Sequence, residues 1–272
     1  MEHHINPNDR PIGVFDSGIG GLTVAAALHR RLPAEQLIYL GDTARVPYGT
    51  KSASAVNRYA LESALFLMNR DVKLIVVACN TVSAVAMPRL KGLLRIPLIG
   101  VVEPGVTAAL RNTKAKKIGV IGTPSTIASG AYQSRLLAAD SSLQVFGKAC
   151  PLLVSMAEEG RLEGAIVELA LKEYLRPLKR RGVDTLILGC THYPLFRTPI
   201  SKEMGFGVTL VDSAETTAEQ VEAVLLREGL LRTHGPGGLK AFVTDVPRQF
   251  DRSAARFFGT PLTSVRKATL GE

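Results

Sequence analysis

Runs of five to seven mostly aliphatic residues recur along the chain, separated by longer stretches in which apolar residues return every three or four positions. The runs predict strands at 12–16, 37–42, 73–79, 97–102, 117–122, 143–148, 185–190, 208–212 and 240–244, with a last one near 263–269. The stretches between them predict helices. Over 52–70, Val56, Tyr59, Ala60, Ser63, Ala64 and Leu67 fall on one face. A continuous aliphatic strand must be covered on both sides, so strands of this kind joined by helices indicate parallel sheets wrapped by helices, an α/β fold.

The order of elements occurs twice. Ile12-Gly13-Val14 opens a first series that continues through "LIYLGDT" and "KLIVVACNT"; Ile118-Gly119-Val120 opens a second, through "LQVFGKAC" and "TLILGCTH". Cys79 and Cys190 thereby hold equivalent places, each closing an aliphatic strand and each followed by Asn or Thr, residues that can cap a helix. The chain thus predicts two similar doubly wound parallel-sheet domains related by a pseudo-two-fold axis. The site falls in the cleft between them, since open α/β sheets bind ligands at the carboxyl ends of their strands. After about residue 212 come a helix with Ser213 as its expected N-cap, strand 240–244, a helix around "DRSAARFFG" and the final strand. The duplicated unit is complete by then, so this tail is expected to return to the first half. The expected domains are 1–102 with 212–272, and 103–211.

Composition narrows the class. Of 272 residues, 46% are hydrophobic and 21% charged, as in a globular protein. No apolar run approaches the roughly 20 residues needed to cross a bilayer, and "MEHHINPNDRP" has no apolar signal core, so a membrane or exported protein is not expected. The formal charge of +9 is spread over separate basic clusters, "HRR", "KAKK" and "RPLKRR", without a nucleic-acid-binding motif. No nucleic-acid partner is expected, although a positive field favours a small anion. Three widely spaced cysteines are not a disulfide framework and suit a reducing cytoplasm. No C-x2-C pair accompanies them, so no metal site is expected at Cys190 and His192.

A single strand-end cysteine is usually packing. Two at matched positions, flanked by hydroxyl, amide or imidazole groups, suit a reaction in which one face of a carbon loses a proton while the other gains one. That requires a thiolate base and a thiol acid with interchangeable roles. Asp16, ending the first strand, and His192, two residues past Cys190, are the natural auxiliaries. Binding groups are available in "FDSGIGGLTV", whose glycine spacing departs from the dinucleotide pattern, and in "DTARVPYGT", where Tyr48-Gly49 can close over a ligand. "CNT", "CTH" and "GTPST" add Thr123, Thr126 and helix-entry amides for a carboxylate. Cys150, in "KACPLL", has no counterpart in the first half and reads as packing near the cleft.

"GVFDSGIGGLTV", "GDTARVPYG", "VACNTVSA", "GVVEPG", "IGTPSTIASGAY", "CPLLVSMAEEG", "LGCTHYPL" and "VDSAETTA" follow one another in order. With these motifs the chain, from Ile12 to about Phe258, resembles bacterial glutamate racemases of the cofactor-independent Asp/Glu racemase superfamily. The resemblance implies racemisation of glutamate without a cofactor or metal, making D-glutamate for peptidoglycan, in a cytoplasmic homodimer. It implies that Cys79 handles the Cα proton on the D side, assisted by Asp16, and Cys190 on the L side, assisted by His192. Glu158 is the better match for the carboxylate behind His192, with Glu159 the alternative. Asp16, Ser17, Pro47, Tyr48, Gly49, Asn80, Thr81, Thr123, Thr126, Thr191 and His192 are implied to hold substrate. Other readings are an aspartate or hydantoin racemase, a decarboxylase or isomerase of the same superfamily, some of which keep one thiol, and a two-lobed anion binder without catalysis.

Overall fold

The computed structural model describes residues 6–246, 250–262 and 264–271. The first series forms strands β1 (Ile12–Asp16), β2 (Gln36–Gly41), β3 (Leu74–Val77) and β4 (Leu98–Gly100). The second forms β5 (Lys117–Gly122), β6 (Gln144–Ala149), β7 (Thr185–Gly189) and β8 (Thr209–Asp212), and the tail adds β9 (Gly238–Val243) and β10 (Val265–Lys267). Every boundary lies within two residues of the expected one. Thr263, in the last expected strand, lies outside the described residues.

Two sheets result, ordered β10-β9-β2-β1-β3-β4 and β6-β5-β7-β8, and all the strand pairings in them are parallel. The duplication in the sequence is therefore a duplication of topology. Each half has the order second, first, third, fourth, and the tail strands extend the first sheet beyond β2. The central strands β1, β3 and β7 are buried along their whole length, as their unbroken aliphatic sequences require. The edge strands β6, β8 and β10 are partly exposed and carry the polar residues.

The two sheets share a core. Helix Leu22–Arg31 lies against helix Ser213–Arg227, and Leu22, Val24 and Leu28 join Ala218, Val221 and Leu225 in one buried cluster with Leu186 and Leu188 of β7. Each fully buried leucine contributes about 1.5–3 kcal/mol, so this seam fixes how the strand ends of one half face those of the other. Arg30 with Glu215 and Arg31 with Glu222 line its solvent edge.

Local caps depart from expectation. The helix after β8 is capped by Asp212, whose Oδ1 accepts from the Ala214 amide at 2.8 Å, and Ser213 is its first helical residue. After β3 the cap position is taken by Cys79 itself and Asn80 begins the helix Asn80–Val85. After β7 it is His192, not Thr191, that takes the cap position of the 3-10 turn Tyr193–Phe196. Asp and Ser are comparable caps, and the choice falls to whichever side chain meets the free amides.

Candidate active site

In each sheet the first and third strands lie side by side, and the chain leaves them toward opposite sides. Loops that diverge in this way open a crevice at the strand ends. Cys79 follows β3 and Cys190 follows β7, so each thiol stands at such a crevice; they are 5% and 6% exposed. Both line one small, partly open cleft. Ser17, Pro47, Tyr48, Gly49, Asn80 and Thr81 reach it from the first sheet, and Thr123, Thr191 and His192 from the second. The wall also contains Val46 and Val154, which sequence reasoning did not single out. Both are aliphatic residues in motifs read for their polar members.

Two residues expected to hold substrate are not in this wall. Asp16 is the last residue of β1, 1% exposed, with Oδ2 accepting from the Gly18 amide at 3.0 Å. Its carboxylate is turned into its own strand-to-helix turn, whose backbone amides bond it. Thr126 lies behind Thr123, and the hydroxyls of Thr81, Thr123 and Thr126 form a buried triangle with sides of 2.9, 2.9 and 3.2 Å. That triangle joins the helix after Cys79 to the loop after β5, and Thr126 supports the wall from within. Cys150 is fully buried in the core, absent from the cleft, with its carbonyl accepting from the Tyr193 hydroxyl at 2.8 Å.

The surroundings of the two thiols differ. Cys79 Sγ lies 3.5 Å from Ser17 Oγ. Burial, followed by the nearby Asp16 carboxylate, pushes its pKa up to about 12. Burial also raises Asp16, and the positive charge of His192 offsets only part of that rise. Cys190 Sγ lies 3.7 Å from His192 Nδ1, and the opposite ring nitrogen, Nε2, is 3.1 Å from Glu158 Oε1. Burial pushes His192 down, but the Cys190 sulfur and Glu158 outweigh it and raise the imidazole to about 10. The imidazole is held between the Cys190 sulfur and the Glu158 carboxylate. The cleft thus sets a protonated thiol at one end and a sulfur beside a cation at the other. Glu159 turns away to pair with Arg161 at 3.1 Å.

Glycines allow the loops this approach. A Cβ on Gly20 would stand 2.3 Å from Thr191 Oγ1 and 2.6 Å from the His192 ring; one on Gly49 would stand 2.5 Å from Thr123 Cβ. Each brings a loop of one half against a loop of the other. The tail also reaches the site. Phe257, from helix Phe250–Phe258, packs edge-on against His192 with ring centroids 5.1 Å apart, and Arg256 donates to the carbonyls of Ala157 and Glu158 at 3.3 and 3.5 Å. No sequence motif marks these two residues. Among the described residues no group of three or more His, Cys, Asp or Glu side chains is placed to hold a metal, and no helix is long and apolar enough to cross a membrane.

Residues 12–221 match the family described as Asp/Glu/Hydantoin racemase. The chain is 49% identical over 262 residues to a glutamate racemase of Geobacter metallireducens, covering 96% of this chain and 97% of that one. Among solved structures, it is similar to a glutamate racemase of Francisella tularensis in complex with D-glutamate, with TM-score 0.91 and 39% identity. It is also similar to a glutamate racemase isoform of Bacillus anthracis, with TM-score 0.93 and 42% identity. Each of these two alignments covers 96% of this chain and 98% of the other.

Proposed function

This chain belongs to the Asp/Glu/hydantoin racemase family, and from that premise we propose that it interconverts L- and D-glutamate by a two-base mechanism using Cys79 and Cys190. The observation that carries the mechanism is that two buried thiols, at equivalent strand ends of two duplicated sheets, line one cleft. With L-glutamate bound, the Cys190 thiolate takes the Cα proton, the C–H electron pair passes into the α-carboxylate, and the planar carbanion accepts a proton from the Cys79 thiol on its other face. D-Glutamate leaves, and the thiols have exchanged protonation states, ready for the reverse reaction. His192, held by Glu158, supports negative charge at Cys190; Asp16 assists Cys79. No cationic cofactor enters this scheme, so hydroxyls and amides of the cleft aimed at the α-carboxylate carry the developing charge.

The same reading places the enzyme in the cytoplasm, supplying D-glutamate for peptidoglycan, with domains 1–102 plus 212–272 and 103–211 facing one another. Assembly as a homodimer is part of it; Ile166 and Leu169, 61% and 68% exposed on one face of helix Ala165–Arg180, offer apolar surface for a partner. The test is circular dichroism of D- and L-glutamate, with D- and L-aspartate in parallel. Loss of optical activity with glutamate and incorporation of solvent deuterium at Cα are expected. Unchanged rotation of both glutamate enantiomers, or faster turnover of aspartate, would overturn the assignment.

A further inference from the structure

The cleft wall at Pro47, Tyr48 and Gly49 belongs to a loop that starts at the end of β2 and folds around one side chain. That side chain is Asp42, 0% exposed. Its Oδ2 accepts from the Tyr48 hydroxyl and from Arg45 Nε, the latter at 2.6 Å, and its Oδ1 accepts from Thr244 Oγ1 at 2.9 Å. Arg45 also pairs with Glu62, and its guanidinium lies over the Tyr59 ring, 4.1 Å from the centroid. The Tyr59 ring in turn packs on that of Tyr48 at 5.3 Å. Backbone and hydroxyl contacts zip the loop start to the tail beyond β9: Ala44 N donates to Thr244 Oγ1 and Asp245 N to Thr43 Oγ1, both at 2.9 Å.

This arrangement fixes what Tyr48 offers to the cleft. Its hydroxyl donates to Asp42, so a ligand meets the ring and backbone rather than the phenol oxygen. Burial, with the Asp42 carboxylate behind it, raises the phenol and keeps it a donor. We propose that Asp42 is the positioning residue for substrate in this racemase, holding the Pro47-Tyr48-Gly49 wall by accepting from Tyr48, Arg45 and Thr244 at once. The inference rests on the glutamate racemase reading above. The wall lies beside the reacting carbon's site without contacting either thiol through Asp42, so the wall acts on binding and leaves proton transfer to the cysteines. A wall residue that stabilises ground and transition states alike changes KM and leaves kcat.

The experiment compares wild type, Asp42→Asn, Tyr48→Phe, the double variant and Thr244→Val in glutamate racemisation, with melting curves for each. Racemisation by wild type establishes the reading on which the variants are compared, and its absence would sink that reading separately. In Asp42→Asn, KM should rise about tenfold for both enantiomers while kcat falls less than about threefold. Tyr48→Phe should raise KM in the same sense, and the double variant should be no worse than the poorer single one, because both changes cut one interaction. Thr244→Val, which removes only the Oδ1 contact, should raise KM about threefold and serves if Asp42→Asn fails to fold. A folded Asp42→Asn with unchanged KM and a tenfold lower kcat, losses that multiply in the double variant, or a folded Thr244→Val with wild-type KM would each overturn the proposal.

Discussion

His192 Nε2 stands 3.1 Å from Glu158 Oε1, while Nδ1 of the same ring faces the Cys190 sulfur at 3.7 Å. One buried imidazole therefore bridges a partly exposed carboxylate and a thiol, and the Asp16 carboxylate interacts with it as well. Burial alone would leave the ring neutral at physiological pH; the two partners raise it to about 10.

Replacing Glu158 by Gln removes one of those partners. The His192 pKa should fall, and the alkaline limb of the kcat/KM profile that reports loss of the imidazolium should move to lower pH. Activity at neutral pH should drop about 10²-fold, the lower end of what a positioned acid–base group contributes. The linkage sign follows from the raised value. The stabilisation from this pair is fully present below pH 6.5, the ordinary value for His, and is lost as pH rises through about 10. The melting-temperature gap between wild type and Glu158→Gln should accordingly shrink from pH 6.5 to pH 10.5. A gap that widened with pH would contradict a charged His192.

Substituting either thiol gives a stricter test of the two-base scheme. Cys79→Ser and Cys190→Ser should each lower kcat/KM by at least about 10³-fold, since a serine hydroxyl is a far weaker acid. The enantiomers have equal free energy, so the equilibrium constant is one and kcat/KM must fall by the same factor in both directions. The asymmetry between the thiols belongs instead to the primary isotope effects with Cα-deuterated D- and L-glutamate. Isotope effects altered identically by the two substitutions would speak for a single base.

Much of this was legible in the chain because the signals were local. Unbroken aliphatic runs such as "KLIVVAC" announce central strands, and the matched settings of Cys79 and Cys190 announce two equivalent strand ends. What sequence could not convey depends on contacts between distant segments. "DTARVPYGT" reads as a polar loop, and nothing in it reveals that Asp42 gathers the loop around itself with help from Thr244. Phe257 reaches His192 from the tail, and Arg256 reaches the end of the Glu158 helix, through a helix whose own pattern only shows amphipathicity. Asp16 and Thr126 are similar cases. Their motifs suggest polar groups for a ligand, and only the structure shows that the Asp16 carboxylate bonds its own strand-to-helix turn and that Thr126 belongs to the threonine triangle with Thr81 and Thr123.

Far from the cleft, Lys73 and Glu35 form an ion pair at 2.7 Å with side chains 1% and 0% exposed. The Lys73 ammonium also donates to the carbonyls of Asn8 and Leu230, at 2.7 and 2.8 Å, tying the chain start and the segment before β9 to the first sheet. Lys73→Met would leave Glu35 buried and uncompensated, a change that costs about 3–5 kcal/mol. Denaturant melts should show that loss, while kcat of the folded fraction at low temperature stays near wild type. The double change Lys73→Met with Glu35→Leu should recover much of the stability, because it removes both buried charges together.

Two glycines separate the demands of the site from those of the fold. Gly92 lies in helix Met87–Leu93 with nothing within 4 Å of an added Cβ, so Gly92→Ala should stabilise the protein by about 0.5–1 kcal/mol through lower backbone entropy in the unfolded chain. Gly20 lies in the turn after β1, and a Cβ there would overlap Thr191 Oγ1 at 2.3 Å and His192 at 2.6 Å. Its φ is not positive, so the obstacle is space alone. The methyl would push the first half's loop off the Cys190 loop and widen the gap that the two thiols must span. Displacements near 1 Å in such a geometry cost about 10²-fold in rate. Gly20→Ala should therefore lose about that much kcat with a far smaller change in melting temperature than a core cavity produces. Stopped-exchange measurement of Cα deuterium uptake would show whether proton abstraction itself has slowed. Near-normal kcat in Gly20→Ala would mean that the halves do not need this close approach to bring Cys79 and Cys190 to opposite faces of one carbon.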